Sequence, residues 1–344
     1  MTITTEKTWK NIRQSVSRPE FCCPARWLRQ VLAVVLLLPA LATAPALATT
    51  GDSALADALA RDLRDLAMIG DDPGIEVLLE RGVDINAPSQ FGKTALMFAT
   101  EIGNLSTVAL LLTRGADVNA RTVSGCTALT FAAENQHYAL TALLLERGAN
   151  VHDRTRAGWD ALMIASRHGM REMVEQLLFS GADPKAADRD GRTALVQAAE
   201  RGRTAVIGPL VRAGAELESR TRTGATALIV AADRGHTDSV ERLLTLGADA
   251  NARDEMGGTA LLAAVGQGHQ EVAELLLRQG ADPNLQDEEG VSALMEAVTT
   301  RHNELVDLLL AYQADPSLID QEGQTAADLA RASGNEAALG ALVP

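Results

Sequence analysis

Gly92-Lys93-Thr94-Ala95-Leu96 returns 33 residues later as Gly125-Cys126-Thr127-Ala128-Leu129, and again from Gly158, Gly191, Gly224, Gly257, Gly290 and Gly323. Every interval is 33 residues, without insertion or deletion. A second word keeps the same period: Gly115-Ala116-Asp117-Val118-Asn119, with relatives starting at Gly82, Gly148, Gly181, Gly214, Gly247 and Gly280. The last copy puts Gln313 in the glycine position. Self-similarity at one fixed period of this size describes a stack of identical supersecondary units, each too small to bury its own apolar face.

One unit reads physically from end to end. Thr94 precedes an apolar run, as a helix N-cap does. Leu96 and Ala99 fall on one face at helical spacing, and Gly103 ends a short first helix. A second helix carries Val108, Leu111 and Leu112, and Gly115 ends it where a positive φ is wanted. A proline follows in three copies (Pro184, Pro283, Pro316), which stops the helix from continuing. The ten or so residues before the next glycine are polar and turn-forming, and are expected to project as a finger. The expected fold is an all-α solenoid of about nine 33-residue helix-turn-helix units with short β-hairpin-like fingers, starting near residues 59, 92, 125, 158, 191, 224, 257, 290 and 323.

Composition agrees with close-packed helices. Apolar residues make up 47% and aromatics only 3%, so the core is built from Ala, Leu and Val. A net charge of −14 argues against a nucleic-acid partner, because phosphate binding needs clustered Lys and Arg.

The repeats resemble the ankyrin family, with their Gly-x-Thr-x-Leu-x-x-Ala helix start and Gly-Ala-Asp-x-Asn helix end, over about residues 59–344. That resemblance implies a protein-binding module whose partner lies against the fingers and first helices on the concave side. Two departures stand out. Ala follows the Thr position in all eight copies, from Ala95 to Ala326, where the family usually has Pro. The family's frequent His two positions later is replaced by Met97, Thr130, Met163, Val196, Ile229, Leu262, Met295 and Asp328. The expectation is therefore that apolar contact replaces most of the polar network between repeats. The ends read as caps. The 59–91 unit lacks the Gly-x-Thr start and has Leu63 in the Leu96 position, and the last unit carries Asp328 and Arg331.

Residues 1–48 differ from the rest. They hold Lys7, Lys10, Arg13, Arg18, Arg26 and Arg29 against Glu6 and Glu20, then the apolar run Val31–Leu38 and a small-residue end, Ala46-Leu47-Ala48. This is the pattern of a secretory signal peptide cut after Ala48. The competing reading is an uncleaved anchor, which Pro39 and Pro45 disfavour within a run shorter than the roughly 20 residues a span needs. Residues 49–58 read as a short lead-in. The expected location is periplasmic or secreted, with no membrane attachment after cleavage. Cys22 and Cys23 leave with the signal, so Cys126 would remain as a lone thiol in a finger, expected to be exposed. It reads as a surface thiol or as one half of a mixed disulfide with a partner.

No catalytic, cofactor-binding or metal-binding motif appears, and no enzyme activity or cofactor is expected. His137, His236, His269 and His302 share one position in the repeat. Stacked units repeat roughly 9–10 Å apart by the helix-packing distance, too far for shared ligation of one ion. They read instead as loop histidines bonding backbone. Asp71, Asp72 and Gly74 read as a helix-start turn.

The variable finger positions supply the candidate binding residues: Phe91 early in the chain, then Arg156 and Trp159, Arg189 and Arg192, Arg222, and finally Met256 before the fingers turn acidic. An aromatic among arginines has the composition of an interface centre. The plainer alternative packs Trp159 on its own finger and pairs the arginines with Asp and Glu. The function expected is a non-catalytic scaffold, monomeric on its own, binding another protein. The alternatives are an inhibitor or immunity protein against a toxin or hydrolase, and a secreted effector acting in a host cell.

Overall fold

The computed structural model describes residues 50–343, so the signal-peptide reading of residues 1–48 and its cut after Ala48 lie outside the described residues. The chain divides into two compact units, Met1–Ala157 and Gly158–Pro344. The first contains α1 (Thr50–Ile69), α2 (Asp72–Glu80), α3 (Ala95–Ile102), α4 (Leu105–Thr113), α5 (Ala128–Glu134) and α6 (Tyr138–Glu146). The second contains α7 (Ala161–His168), α8 (Arg171–Phe179), α9 (Ala194–Glu200), α10 (Thr204–Arg212), α11 (Ala227–Asp233) and α12 (Thr237–Thr245). It continues with α13 (Ala260–Gly266), α14 (Gln270–Arg278), α15 (Ala293–Thr299), α16 (Asn303–Ala311), α17 (Ala326–Ser333) and α18 (Glu336–Leu342). The described residues thus form nine helix pairs and no extended strand. The stretch read as a lead-in is, from Thr50 onward, the first half of the 20-residue α1.

Within each unit, first helices pack on first helices and second helices on second, giving two layers. The inner layer is close because its contact positions are small: Ala99, Ala132, Ala165, Ala198, Ala231, Ala264 and Ala297 are all essentially buried. Leucines fill the space between layers. Leu96, Leu129, Leu162, Leu195, Leu228, Leu261 and Leu294 are at most 2% exposed, each a burial that stabilises by about 1.5–3 kcal/mol. Leu63 is buried in the same way in the first pair, as its alignment with Leu96 implies.

The first helices start as the sequence suggests. Thr127, Asp160, Thr193, Thr226, Thr259, Ser292 and Thr325 each accept a hydrogen bond from the third helical N–H. Thr94 holds the same cap position without that bond. Gly103 and Gly115 both take positive φ, at 90° and 91°. Gln313, standing where the other copies have glycine, is held at φ 64°. Asp71 caps α2 by accepting from the Gly74 N–H at 3.1 Å.

The second helices begin differently. His137, His236 and His269 occupy their N-cap positions but do not cap. Each ring reaches back one repeat, placing Nε2 3.1 Å from the carbonyl oxygen of Glu101, Glu200 and Asp233 respectively. The histidines therefore bond backbone, as expected of loop residues.

The expectation of mainly apolar contact between repeats needs correction. Polar clasps recur at several positions of the 33-residue period. The Asn of the Gly-Ala-Asp-x-Asn word accepts from the next repeat's backbone, as Asn251 does from the Asp282 N–H at 2.8 Å and Asn284 from the Asp315 N–H at 2.7 Å. The guanidinium of Arg121 donates to the Arg154 carbonyl, Arg220 to that of Arg253, and Arg253 to that of Gln286. The network has moved from the helix start to the loops. That move frees the helix-start position for buried residues such as Met163, Val196 and Leu262.

Candidate protein-binding surface

Each finger closes on itself through a short side chain. Asp188 Oδ1 accepts from the Asp190 and Arg192 N–H groups at 2.8 and 2.9 Å. Asp254 and Asp287 do the same in later repeats, while Ser89, Thr122 and Thr221 supply hydroxyls at this place. These turns hold the finger in a hairpin-like shape with a single bridge in three repeats, Ala187 to Thr193, Arg253 to Thr259 and Gln286 to Ser292. Burial pushes the carboxyls of Asp188, Asp254 and Asp287 above the usual carboxylate range, against the pull of the N–H groups they accept.

The fingers are also joined to one another. In the first unit, Val123 N–H donates to the Phe91 carbonyl at 2.9 Å, and Arg156 N–H to the Ser124 carbonyl at 2.8 Å. In the second, Arg222 donates to Asp190 at 2.8 Å, Glu255 to Thr223 at 3.1 Å, Glu288 to Met256 at 2.9 Å and Gln321 to Glu289 at 3.0 Å. Within each unit these backbone bonds fix the spacing of the tips they join. The donors share one position of the repeat and their side chains are exposed: Val123 and Arg156 in the first unit, then Arg222, Glu255, Glu288 and Gln321 in the second, where Arg189 holds the same position and is exposed too. Within the second unit this row runs from cationic to anionic.

Of the sequence-predicted residues, Phe91 is 67% exposed on the first unit and Met256 45% exposed on the second. Arg156, Arg189 and Arg222 all stand exposed at this position of the repeat. Trp159 does not protrude. It is 8% exposed, bonds the Asp188 carboxylate through its indole, and carries the Arg167 guanidinium 5.3 Å from its ring centroid. The indole thus packs against the finger of the following repeat and acts as a brace. A lone large residue in a variable position is a signal of local packing as much as of contact.

The arginines of this region are largely engaged with carboxylates. Arg222 pairs closely with Asp190. Arg192 lies between Asp190 at 3.8 Å and Glu200 at 3.6 Å, and Arg234 between Glu200 at 3.7 Å and Asp233 at 3.6 Å. Arg192 is therefore partly withdrawn from solvent. Arg189 stands exposed outside this network.

Cys126 corrects the expectation of an exposed thiol. Its side chain is fully buried in a cluster with Met97 and Phe131. Beside this cluster Lys93 lies 4.5 Å from the centroids of both the Phe98 and Phe131 rings and pairs closely with Glu101.

Sequence reasoning missed the clasp residues Arg220, Arg253 and Gln286, although their signal was available: long polar side chains at one position of the period. It also missed Glu296, 3% exposed on α15 with its carboxyl against the backbone of Gly266. Burial, followed by the like charges of Asp287 and Glu289, raises its pKa from 4.5 to about 7. Among the described residues, no group of three or more His, Cys, Asp or Glu is placed to hold a metal ion. No helix among them is long and apolar enough to cross a membrane.

The family model for ankyrin repeats in three copies matches residues 63–155, 162–254, 205–287 and 260–344, nearly all of the described chain. No curated protein matches the chain.

Proposed function

Since the chain belongs to the ankyrin-repeat family, we propose that it is an exported, non-catalytic scaffold that holds a partner protein along its finger row. Ankyrin repeats are generic protein-interaction modules. The observation that carries the reading is the donor row itself. Its backbone is tied tip to tip from the Asp190 finger to that of Gln321, while Arg189, Arg222, Glu255 and Glu288 project into solvent. A surface fixed before binding loses little conformational freedom on contact. A row graded from positive to negative steers a partner of opposite grading and sets its register. Met256, beside the change of sign, offers an apolar contact of the adaptable kind that interfaces favour. The basic residues before Val31–Leu38 and the Ala46-Leu47-Ala48 end support export to the periplasm.

The test is affinity capture from a periplasmic fraction, comparing wild type with an Arg189→Glu, Arg222→Glu variant. The reading expects one protein species retained by wild type and lost by the variant. Equal retention by both would remove the finger row from the binding surface.

A further inference from the structure

At one position of the second helix five of the nine pairs carry an acid, Glu76, Glu175, Glu241, Glu274 and Asp307, whereas Ala109, Ala142, Gly208 and Gly340 stand there in the others. Three of these acids hold an arginine: Glu76 with Arg114, Glu175 with Arg171 at 3.0 Å, and Glu274 with Arg278 at 3.0 Å. In the repeat that starts at Gly191, this position is Gly208, followed by Pro209. The two poorest helix formers thus stand side by side inside α10, where nothing in the repeat calls for them. A sequence that breaks a local rule in this way marks a site with another purpose.

One arginine of the pairing remains although the acid is gone, and α12 brings a second. Arg242 Nη2 lies 2.8 Å from where a Cβ of residue 208 would stand, and Arg212 Nη1 lies 3.3 Å from it. Two like charges therefore meet over the bare Gly208 backbone. Neither guanidinium has an ion pair or side-chain hydrogen bond among the described residues. Arg171 and Thr204 complete the wall of a cavity of about 280 Å³ around them. Arg212 stands where Arg278 stands in its own repeat, but without the Glu274 that pairs Arg278.

We propose that this cleft is an anion site and that its ligand is a phosphate group. Two guanidinium groups without a carboxylate partner, Arg212 of α10 and Arg242 of α12, meet there, and Arg171 of α8, held by Glu175, adds a third cation to the wall. That arrangement suits a tetrahedral dianion better than a planar carboxylate, which one guanidinium fork can satisfy. The site lies on the second-helix layer and is independent of the finger row.

The test is calorimetric titration of the full chain at low ionic strength, with inorganic phosphate and with a phosphoserine peptide as probes and chloride as the control. Wild type is compared with Arg242→Gln and with Gly208→Glu, which restores the acid of the neighbouring repeats. Matched circular-dichroism melts show that each variant is folded. The expected result is one phosphate per chain in wild type, with the Kd raised at least about tenfold in both variants, as loss of a charge-assisted hydrogen bond predicts. Tighter binding of the peptide than of free phosphate assigns the ligand to a phosphorylated chain, and equal or weaker binding assigns it to the free anion. No phosphate binding in wild type, or the same binding in all three proteins, overturns the proposal.

Discussion

The imidazole of His236 lies against the backbone of Gly202, one repeat earlier, with its Nε2 3.1 Å from the Glu200 carbonyl oxygen. A Cβ at Gly202 would stand 2.8 Å from the ring, and its φ is 64°. The same pairing joins Gly103 to His137, Gly235 to His269 and Gly268 to His302. Because the carbonyl accepts, the ring must carry its proton on Nε2. Glycine at the end of one first helix and histidine at the start of the next second helix are thus two halves of one contact.

Gly202→Ala is expected to cost more than Gly214→Ala. Both pay about 1–2 kcal/mol for an L-residue in left-handed backbone. Gly214 has open space around it, whereas alanine at 202 must also displace the His236 ring. Urea unfolding of the two variants checks the order.

Glu296 makes stability depend on pH. Its folded pKa, about 7, lies above the ordinary value of 4.5, so the folded chain holds a proton that the unfolded chain releases. Stability therefore falls as pH rises from 4.5 through about 7, by on the order of 3 kcal/mol once both states are ionised. The raised pKa values of Asp188, Asp254 and Asp287 act with the same sign. Glu296→Gln should flatten the slope and raise the melting temperature at pH 8, with little change at pH 4.5. An unchanged slope would show that the carboxyl is solvated.

Trp159→Phe removes the N–H that Asp188 accepts, and should cost about 1–3 kcal/mol. Trp159→Ala also empties a buried volume and should cost about 3–5 kcal/mol. Arg189→Ala, on the exposed row, should stay within about 0.5 kcal/mol of wild type. If Trp159→Phe melts like wild type, the brace between finger and indole carries no stability.

The repeat period, helix positions and caps were all legible in the sequence because they rest on local chemistry: a Thr cap, an apolar stripe, a glycine with positive φ. The exposed arginines were found for the same reason, since a variable position in a periodic array stands out. Burial within a finger was not legible. Cys126 and Trp159 occupy positions that look exposed along the chain, yet the neighbouring repeat covers them. The clasps through Arg220 and Arg253 and the acid missing at Gly208 become visible only when residues 33 or 34 apart are placed side by side.

Arg222→Glu separates binding from stability. Arg222 is exposed, and its surface pair with Asp190 contributes at most about 1 kcal/mol. Denaturation should therefore shift little, while the charge grading of the row is disrupted. A large loss of stability would mean that the pair supports the finger itself.

The most direct test of the finger-row account is photocrosslinking in the periplasm. A photoreactive residue replaces Met256 on a finger tip or, separately, Asp307 on the exposed side of α16. The account predicts a crosslink from position 256 to one protein species, and none from position 307. A partner captured only from position 307 would contradict it and move the binding surface to the second-helix layer.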